Sequence, residues 1–408
     1  MVTTVTAYTD SRNRAYPGEG YDGVVRVAVG GYYGTGVLLY DGRAVLTAAH
    51  VFASGSLNTS AIFETTAGNQ TVTATGVTVL PTYDPTQGNN DLAIVWLSST
   101  VPVTAERYSL YRSSDEIGQS LTMVGYGIPG TGATGEIAGY SGSPLRLKAS
   151  NQFDADVGTL KSALGSVMGW NPTAGTQLIA DFDNGTTSQD ALGRLINLPG
   201  LGLGQNEGLA SPGDSGGPAF INGQIAGITS YTTSLSYGNI HPDINSVRDS
   251  SFGEIAAWQR VSHYQQWIDQ SLRAHYPNAP TTPAEVQKAV PEGNSGTTYA
   301  YFLLQFTGVR SDPNQNLSVD YITRDGTATA GQDYLPVKGT LVLYPGENQA
   351  VIPVEIVGDT TPEPTENFYL DVTNPVGGSF GAGVITLTGV ITLTAVRTIV
   401  NDDGGVFA

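Results

Sequence analysis

The chemistry in this chain is concentrated in the run Ser211-Pro212-Gly213-Asp214-Ser215-Gly216-Gly217-Pro218-Ala219-Phe220. Three glycines and a proline between Gly213 and Pro218 suit neither a helix nor a central strand, so the backbone must turn tightly there. Such a turn displays one hydroxyl, Ser215, and leaves backbone N–H groups free around it. A nucleophile inside an oxyanion hole needs that arrangement, because fixed donors stabilise the charge that develops during attack. Read as plain structure, the run is one more Gly- and Ser-rich surface turn. A base, and a group to orient it, separate the two readings.

The chain has 4 histidines. His263 falls in a helical pattern, and His241 and His275 fall in loops. His50 closes the strand-like Leu46-Thr47-Ala48-Ala49, whose small residues allow close packing beside it. An imidazole there can take the hydroxyl proton near neutral pH and return it to a leaving group. About forty residues on, Asn90-Asp91-Leu92-Ala93-Ile94 sets one carboxylate directly before an apolar strand. Burying it costs energy unless it is hydrogen-bonded. An imidazole N–H is a natural partner, and it would leave the other ring nitrogen free to accept a proton. An Asp at a turn before a strand is also common as plain structure.

The elements that must carry these residues are strands. Gly 52, Pro 22 and Tyr 21 in 408 residues point to an all-β protein of two or three domains. Short β-branched or alternating runs recur between Gly and Asp, such as Val24–Val29, Ala44–Thr47 and Leu121–Tyr126. Residues 127–210 are looser and Gly-rich. Their most pointed segment, Asp181-Phe182-Asp183-Asn184-Gly185, reads either as a cation loop or as a turn at a strand end. Ile255–Ile268 holds the one defensible helix, with Val261, Tyr264 and Ile268 at three- and four-residue spacing. Residues 1–19 read as a polar N-terminal segment, 20–276 as the first folded domain, 277–284 as a Pro-rich linker and 285–408 as a second all-β unit.

Cysteine is absent, which excludes disulfides, thiolate metal sites and a Cys nucleophile. A net charge of −18 argues against nucleic acid or an anionic membrane as partner. No apolar run is long enough for a transmembrane helix, and the first residues lack the basic-then-apolar pattern of a secretory signal.

In chain order the motifs Thr47-Ala48-Ala49-His50, Asp91-Leu92-Ala93 and Gly213–Pro218 resemble those of the chymotrypsin/trypsin-like serine peptidases, over roughly residues 20–273. The resemblance implies a pair of six-stranded β-barrels with a C-terminal helix and a triad in the cleft between the barrels. Its roles would be Ser215 as nucleophile, His50 as general acid–base and Asp91 as orienting group, with the N–H groups of Gly213 and Ser215 as oxyanion hole. Ser230-Tyr231-Thr232 matches the family's substrate-pairing strand, and Ser230 is expected to hydrogen-bond Asp91. Leu209 corresponds to the base of the primary specificity pocket. With Thr232 narrowing that pocket, small to medium apolar side chains are expected. The family's Ile-Val-Gly-Gly activation sequence is missing. Buried Asp214 then needs either a new terminus, freed at Asn13 or Ala15 by cleavage after Arg12 or Arg14, or an internal cation or hydrogen-bond network.

In the second unit Glu292, Asp333, Asp359, Glu363, Glu366, Asp402 and Asp403 fall at strand ends or loops. Carboxylates gathered at one end of a sandwich repel unless a cation bridges them, and hard oxygen ligands favour Ca²⁺. Read blandly, they are solvated turn residues. The string Asp325–Tyr334, with Thr340-Leu341, Pro345-Gly346-Glu347 and Glu363 to Phe368, resembles a Calx-β domain across about residues 284–404. That resemblance implies an immunoglobulin-like sandwich binding Ca²⁺ at one end, with weaker or fewer sites because Asn401 stands where the family often has Asp. Together these readings predict a secreted, bacterial serine endopeptidase acting on protein or peptide, with structural Ca²⁺ and no cofactor for the chemistry. The rivals are an idle, peptidase-like adhesion protein and an esterase.

Overall fold

A computed structural model describes residues 2–55, 58–98, 101–378, 385–387 and 390–403. The chain divides into two compact units, one of residues 1–39 and 43–267, the other of 40–42 and 268–408. The change-over falls within the helix Val261–His275, ahead of the expected linker.

In the first unit, strands Val24–Val29, Tyr32–Leu38, Ala44–Thr47, Ala93–Leu97, Gly68–Val79 and Thr59–Thr65 close in that order into a six-stranded barrel. Their alternating Val, Leu and Phe side chains fill its interior, including Val25, Val27, Leu38, Val45, Phe63 and Val95. The second half is an antiparallel sheet of seven strands, in the order Leu147–Gln152, Ser120–Gly125, Pro218–Ile221, Gln224–Thr233, Ile255–Arg260, Gln177–Asp181 and Ala155–Asp156. Strands from both ends of this sheet meet in one core, where Leu147, Met123, Ala219, Trp258 and Leu178 pack together, so the sheet curls on itself like a barrel.

Three expectations need correction. The first folded unit does not start at residue 20 but takes in the N-terminal segment. Val2, Thr3 and Thr4 are buried, and Thr3–Thr4 pairs antiparallel with Gly208–Leu209 and parallel with Gly130–Thr131. The helix begins at Val261, because Ile255–Arg260 is a strand held between Gln224–Thr233 and Gln177–Asp181. Its buried face is Val261, Tyr264, Ile268 and Leu272. It is also not the only helix: Val157–Leu164 and Ala191–Ile196 lie in the Gly-rich region. Each starts at an Asp, Asp156 or Asp190, whose carboxylate accepts a hydrogen bond from the first-turn backbone.

The second unit sets the paired strands Gly296–Gln305 and Gln349–Gly358 apart from a sheet in which Ala289–Pro291, Val390–Val400, Glu366–Val376, Leu317–Asp325 and Lys338–Leu343 follow one another. Phe302, Tyr334, Ile352, Ile356 and Phe368 anchor the core between them. The long closing strand has a definite register, with Glu366 opposite Ile399 and Val372 opposite Leu393.

Candidate active site

His50 lies in a single helical turn, Ala49–Phe52, that follows the barrel strand Ala44–Thr47. Its backbone N–H donates to Asp91 Oδ1 at 2.9 Å, and its ring Nδ1 meets Asp91 Oδ2 at 2.7 Å. Asp91 is 2% exposed, and a third donor, the Ser230 hydroxyl, reaches its Oδ2 at 2.6 Å. Gln259 Nε2 donates in turn to Ser230 Oγ at 3.2 Å. The contact with Asp91 orients the ring with its Nδ1–H toward the carboxylate, which leaves Nε2 as the nitrogen that can accept a proton. Asn90 aims the carboxylate. It sits in the left-handed region at φ 57°, which Asn tolerates better than most residues, and its side chain is tied to Thr82 O and the Tyr264 hydroxyl.

Ser215 shares a cavity of about 530 Å³ with His50, Asp91, Ser230, Tyr231 and Thr232. Around it Asp214 N donates to Ser211 O, Gly216 N to Thr229 O and Gly217 N to Asp214 O. Among the described residues no acceptor meets the N–H of Gly213 or of Ser215, so these two donors remain available to an oxyanion. Gly213 needs to be glycine: its φ is +98°, and a Cβ would stand 2.9 Å from Gly127 Cα. Thr35 couples this loop to the first barrel. Its N–H donates to Ser215 O at 2.8 Å, its hydroxyl donates to Gly213 O at 2.7 Å, and its carbonyl accepts from the Thr47 hydroxyl at 2.7 Å.

Asp214 is buried, which pushes its pKa up. Its Oδ1 accepts the N–H of Gly127 at 2.8 Å, and its Oδ2 accepts the N–H and hydroxyl of Ser211 at 2.9 and 3.2 Å. Both termini expected from cleavage, Asn13 and Ala15, are buried, with Asn13 donating to Thr6 and Ala7.

Leu209 is misplaced by the expectation. It is fully buried in the core that includes Met123 and Trp258 and does not line the cavity. The neighbouring Ala210 does, together with Thr229, Glu136 and Arg248, which sequence reasoning missed. Burial, foremost, raises the pKa of Glu136, and the Ser250 hydroxyl donates to it at 2.9 Å.

At one end of the second unit, Glu292, Asp402 and Asp403 form one group of carboxylates and Asp333, Glu363 and Glu366 another, with ligand oxygens in each group within 4.8 Å. Asp359 stands outside both groups, accepting the N–H of Thr361 at 2.6 Å, but its charge raises the pKa of Glu292. Burial and then the neighbouring acids bring Glu292 up to about 7. Asp403 Oδ2 is buried and accepts no hydrogen bond from the described residues. An orphaned oxygen among six acids fits a hard cation, which these side chains would hold.

The fold and site together define a trypsin-like serine-protease fold followed by a β-sandwich unit. A Trypsin family model matches residues 11–149, and a Calx-beta domain model matches residues 303–402, so the chain carries both domains. Sodium/calcium exchanger 2 of Homo sapiens is 32% identical over 117 residues, covering 25% of this chain. Sodium/calcium exchanger 1 of Canis lupus familiaris is 44% identical over 63 residues, 15% of this chain. This chain spans 13% and 6% of those proteins' lengths. Among solved structures, neuropsin, a serine protease expressed in the limbic system of mouse brain, superposes with a TM-score of 0.46 at 16% identity, covering 64% of this chain and 98% of that one.

Proposed function

We propose that this chain is a serine endopeptidase. Ser215 attacks the scissile carbonyl, His50 takes its proton and delivers it to the leaving amine, and Asp91 orients the imidazole. Water then reverses the sequence on the acyl-enzyme, with Gly213 and Ser215 N–H holding the oxyanion. The observation that carries this reading is Asp91, buried yet met by the backbone and ring of His50 and by Ser230, in the cavity that holds Ser215. An idle binding protein has no use for a carboxylate desolvated at that cost.

The apolar primary preference loses its ground with Leu209. The wall of Ala210, Thr229 and Thr232, flanked by Glu136 and Arg248, instead suits small side chains with polar neighbours in the substrate. Ca²⁺ at the acidic end of the Calx-β domain would stabilise that domain by screening its carboxylates. The Cys-free, acidic composition supports action outside the cell, as in a secreted bacterial enzyme. No helix among the described residues is long and apolar enough to cross a membrane.

Labelling by a serine-directed phosphonate, lost in Ser215→Ala with the fold intact, is the expected result. Wild-type protein that never labels overturns the reading, and parallel peptide and ester panels separate a peptidase from an esterase.

A further inference from the structure

A third group of acids, besides the two in the Calx-β domain, belongs to the first unit. Asp181 ends the strand Gln177–Asp181, Asp183 follows it, and Asp190 precedes the short helix Ala191–Ile196. Each offers a carboxylate oxygen, and the three oxygens lie within 4.8 Å of one another. Surface acids often cluster without consequence, but these are 3%, 5% and 3% exposed. Two of them are partly satisfied: Asp181 Oδ2 accepts Leu192 N at 2.7 Å, and Asp190 Oδ1 accepts Gly193 N at 2.7 Å. Asp183 Oδ1 is buried and meets no hydrogen-bond donor among the described residues. The charges that act most strongly on Asp183 are all carboxylates, those of Asp181, Glu207, Asp190 and Asp154. Among the described residues no lysine, arginine or histidine pairs with any of the three.

We propose that Asp181, Asp183 and Asp190 hold a Ca²⁺ ion that fixes the segment leading into the nucleophile loop. Oxygens bound at about 2.4 Å on opposite sides of Ca²⁺ stand about 4.8 Å apart, so one ion can reach all three carboxylates. Its charge meets the orphaned Asp183 oxygen, which no donor among the described residues satisfies. The consequence for the active site runs through Glu207. Its Oε1 accepts Asp183 N at 2.7 Å, its carbonyl accepts Val5 N at 3.1 Å, and it directly precedes the strand Gly208–Leu209 that enters Ser211–Gly217. Ca²⁺ therefore ties residues 182–207 to the base of the loop that displays Ser215. This inference rests on ion binding and order, not on hydrolysis, so it stands or falls independently of the proposed activity.

The test uses the full chain, stripped with chelator, and counts bound ⁴⁵Ca²⁺ by equilibrium dialysis. In a Glu292→Gln/Asp333→Asn background, which disables the Calx-β acids, one tightly bound ion is expected to remain and to disappear on adding Asp183→Asn. A background that binds no ion, or a count unchanged by Asp183→Asn, overturns the proposal. Hydrogen exchange on the wild-type chain needs no variant. Ca²⁺ is expected to slow exchange in peptides spanning 182–207 at least tenfold, and unchanged exchange there overturns the proposal as well.

Discussion

Asp91→Asn is nearly isosteric, and the contacts of Asp91 dictate how the amide must sit. Oδ1 faces the His50 backbone N–H, a donor that cannot be reversed. The amide oxygen must take that position, which places the NH₂ group where Oδ2 now meets His50 Nδ1 at 2.7 Å and Ser230 Oγ at 2.6 Å. The hydroxyl can rotate, accept from the amide and keep the Gln259 bond. The imidazole can only shift its proton to Nε2, so the nitrogen facing the cleft becomes a donor and cannot receive the Ser215 proton. Every hydrogen bond survives, so unfolding stability should move by no more than about 1 kcal/mol. Loss of the base should lower kcat by about 10⁴, about 5.4 kcal/mol in the barrier, with KM little changed. Peptide hydrolysis and phosphonate labelling rates should fall together. A folded Asp91→Asn protein that keeps its kcat within tenfold of wild type would refute the assigned roles.

Other substitutions probe the frame. In Gly216→Ala the new Cβ would stand 2.0 Å from Thr47 Oγ1 and 2.4 Å from Thr35 O, at a φ of +82°. Overpacking and backbone strain should cost about 2–4 kcal/mol in urea unfolding, with labelling abolished. Arg146→Met leaves buried Asp22 without the guanidinium now 2.6 Å away and should cost about 3–5 kcal/mol by the same measure. Glu254, whose carboxylate accepts the N–H of Asp249 at 2.6 Å, is held at about 7 by burial, above its ordinary 4.5. The folded state thus keeps a proton that the unfolded chain has released, so this group's contribution to stability falls as pH rises from about 4.5 to 7 and stays low above that. Glu254→Gln, which retains the accepting oxygen, should flatten that slope and add up to about 3 kcal/mol at pH 8 in thermal melts; an unchanged slope would show that the group is not buried in this way.

The parts of the site that were legible in the sequence are those whose chemistry is local. The turn at Gly213–Pro218, the His after small residues and the Asp before an apolar strand each announce themselves within about six residues. What was illegible depends on parity or on distance. Leu209 and Ala210 adjoin, and in an extended segment neighbours point to opposite sides, so an offset counted from Ser215 finds the right stretch but the wrong side chain. Val2–Thr4 passes for part of a polar N-terminal segment because two paired residues are too few to show alternation, and its partners lie beyond residue 129. The helices Val157–Leu164 and Ala191–Ile196 are too short for a clear period, though their Asp caps were visible signals.

Thr35 is the most consequential omission, and no local pattern could have revealed it. It is one threonine in a barrel strand, yet through its N–H, hydroxyl and carbonyl it joins Ser215, Gly213 and Thr47. Thr47 leads by three residues to His50, so hydrogen bonds at Thr35 link the segment that carries His50 to the loop that carries Ser215. The glycines serve the same contact by what they lack. A Cβ on Gly216 would strike Thr47, and one on Gly125 would stand 2.1 Å from Asp214 Oδ1. The Gly-rich signature is therefore needed for close approach as much as for the turn itself. It lets a loop of the second sheet sit against the strand of the first barrel that carries the base, at a distance a side chain at either position would forbid.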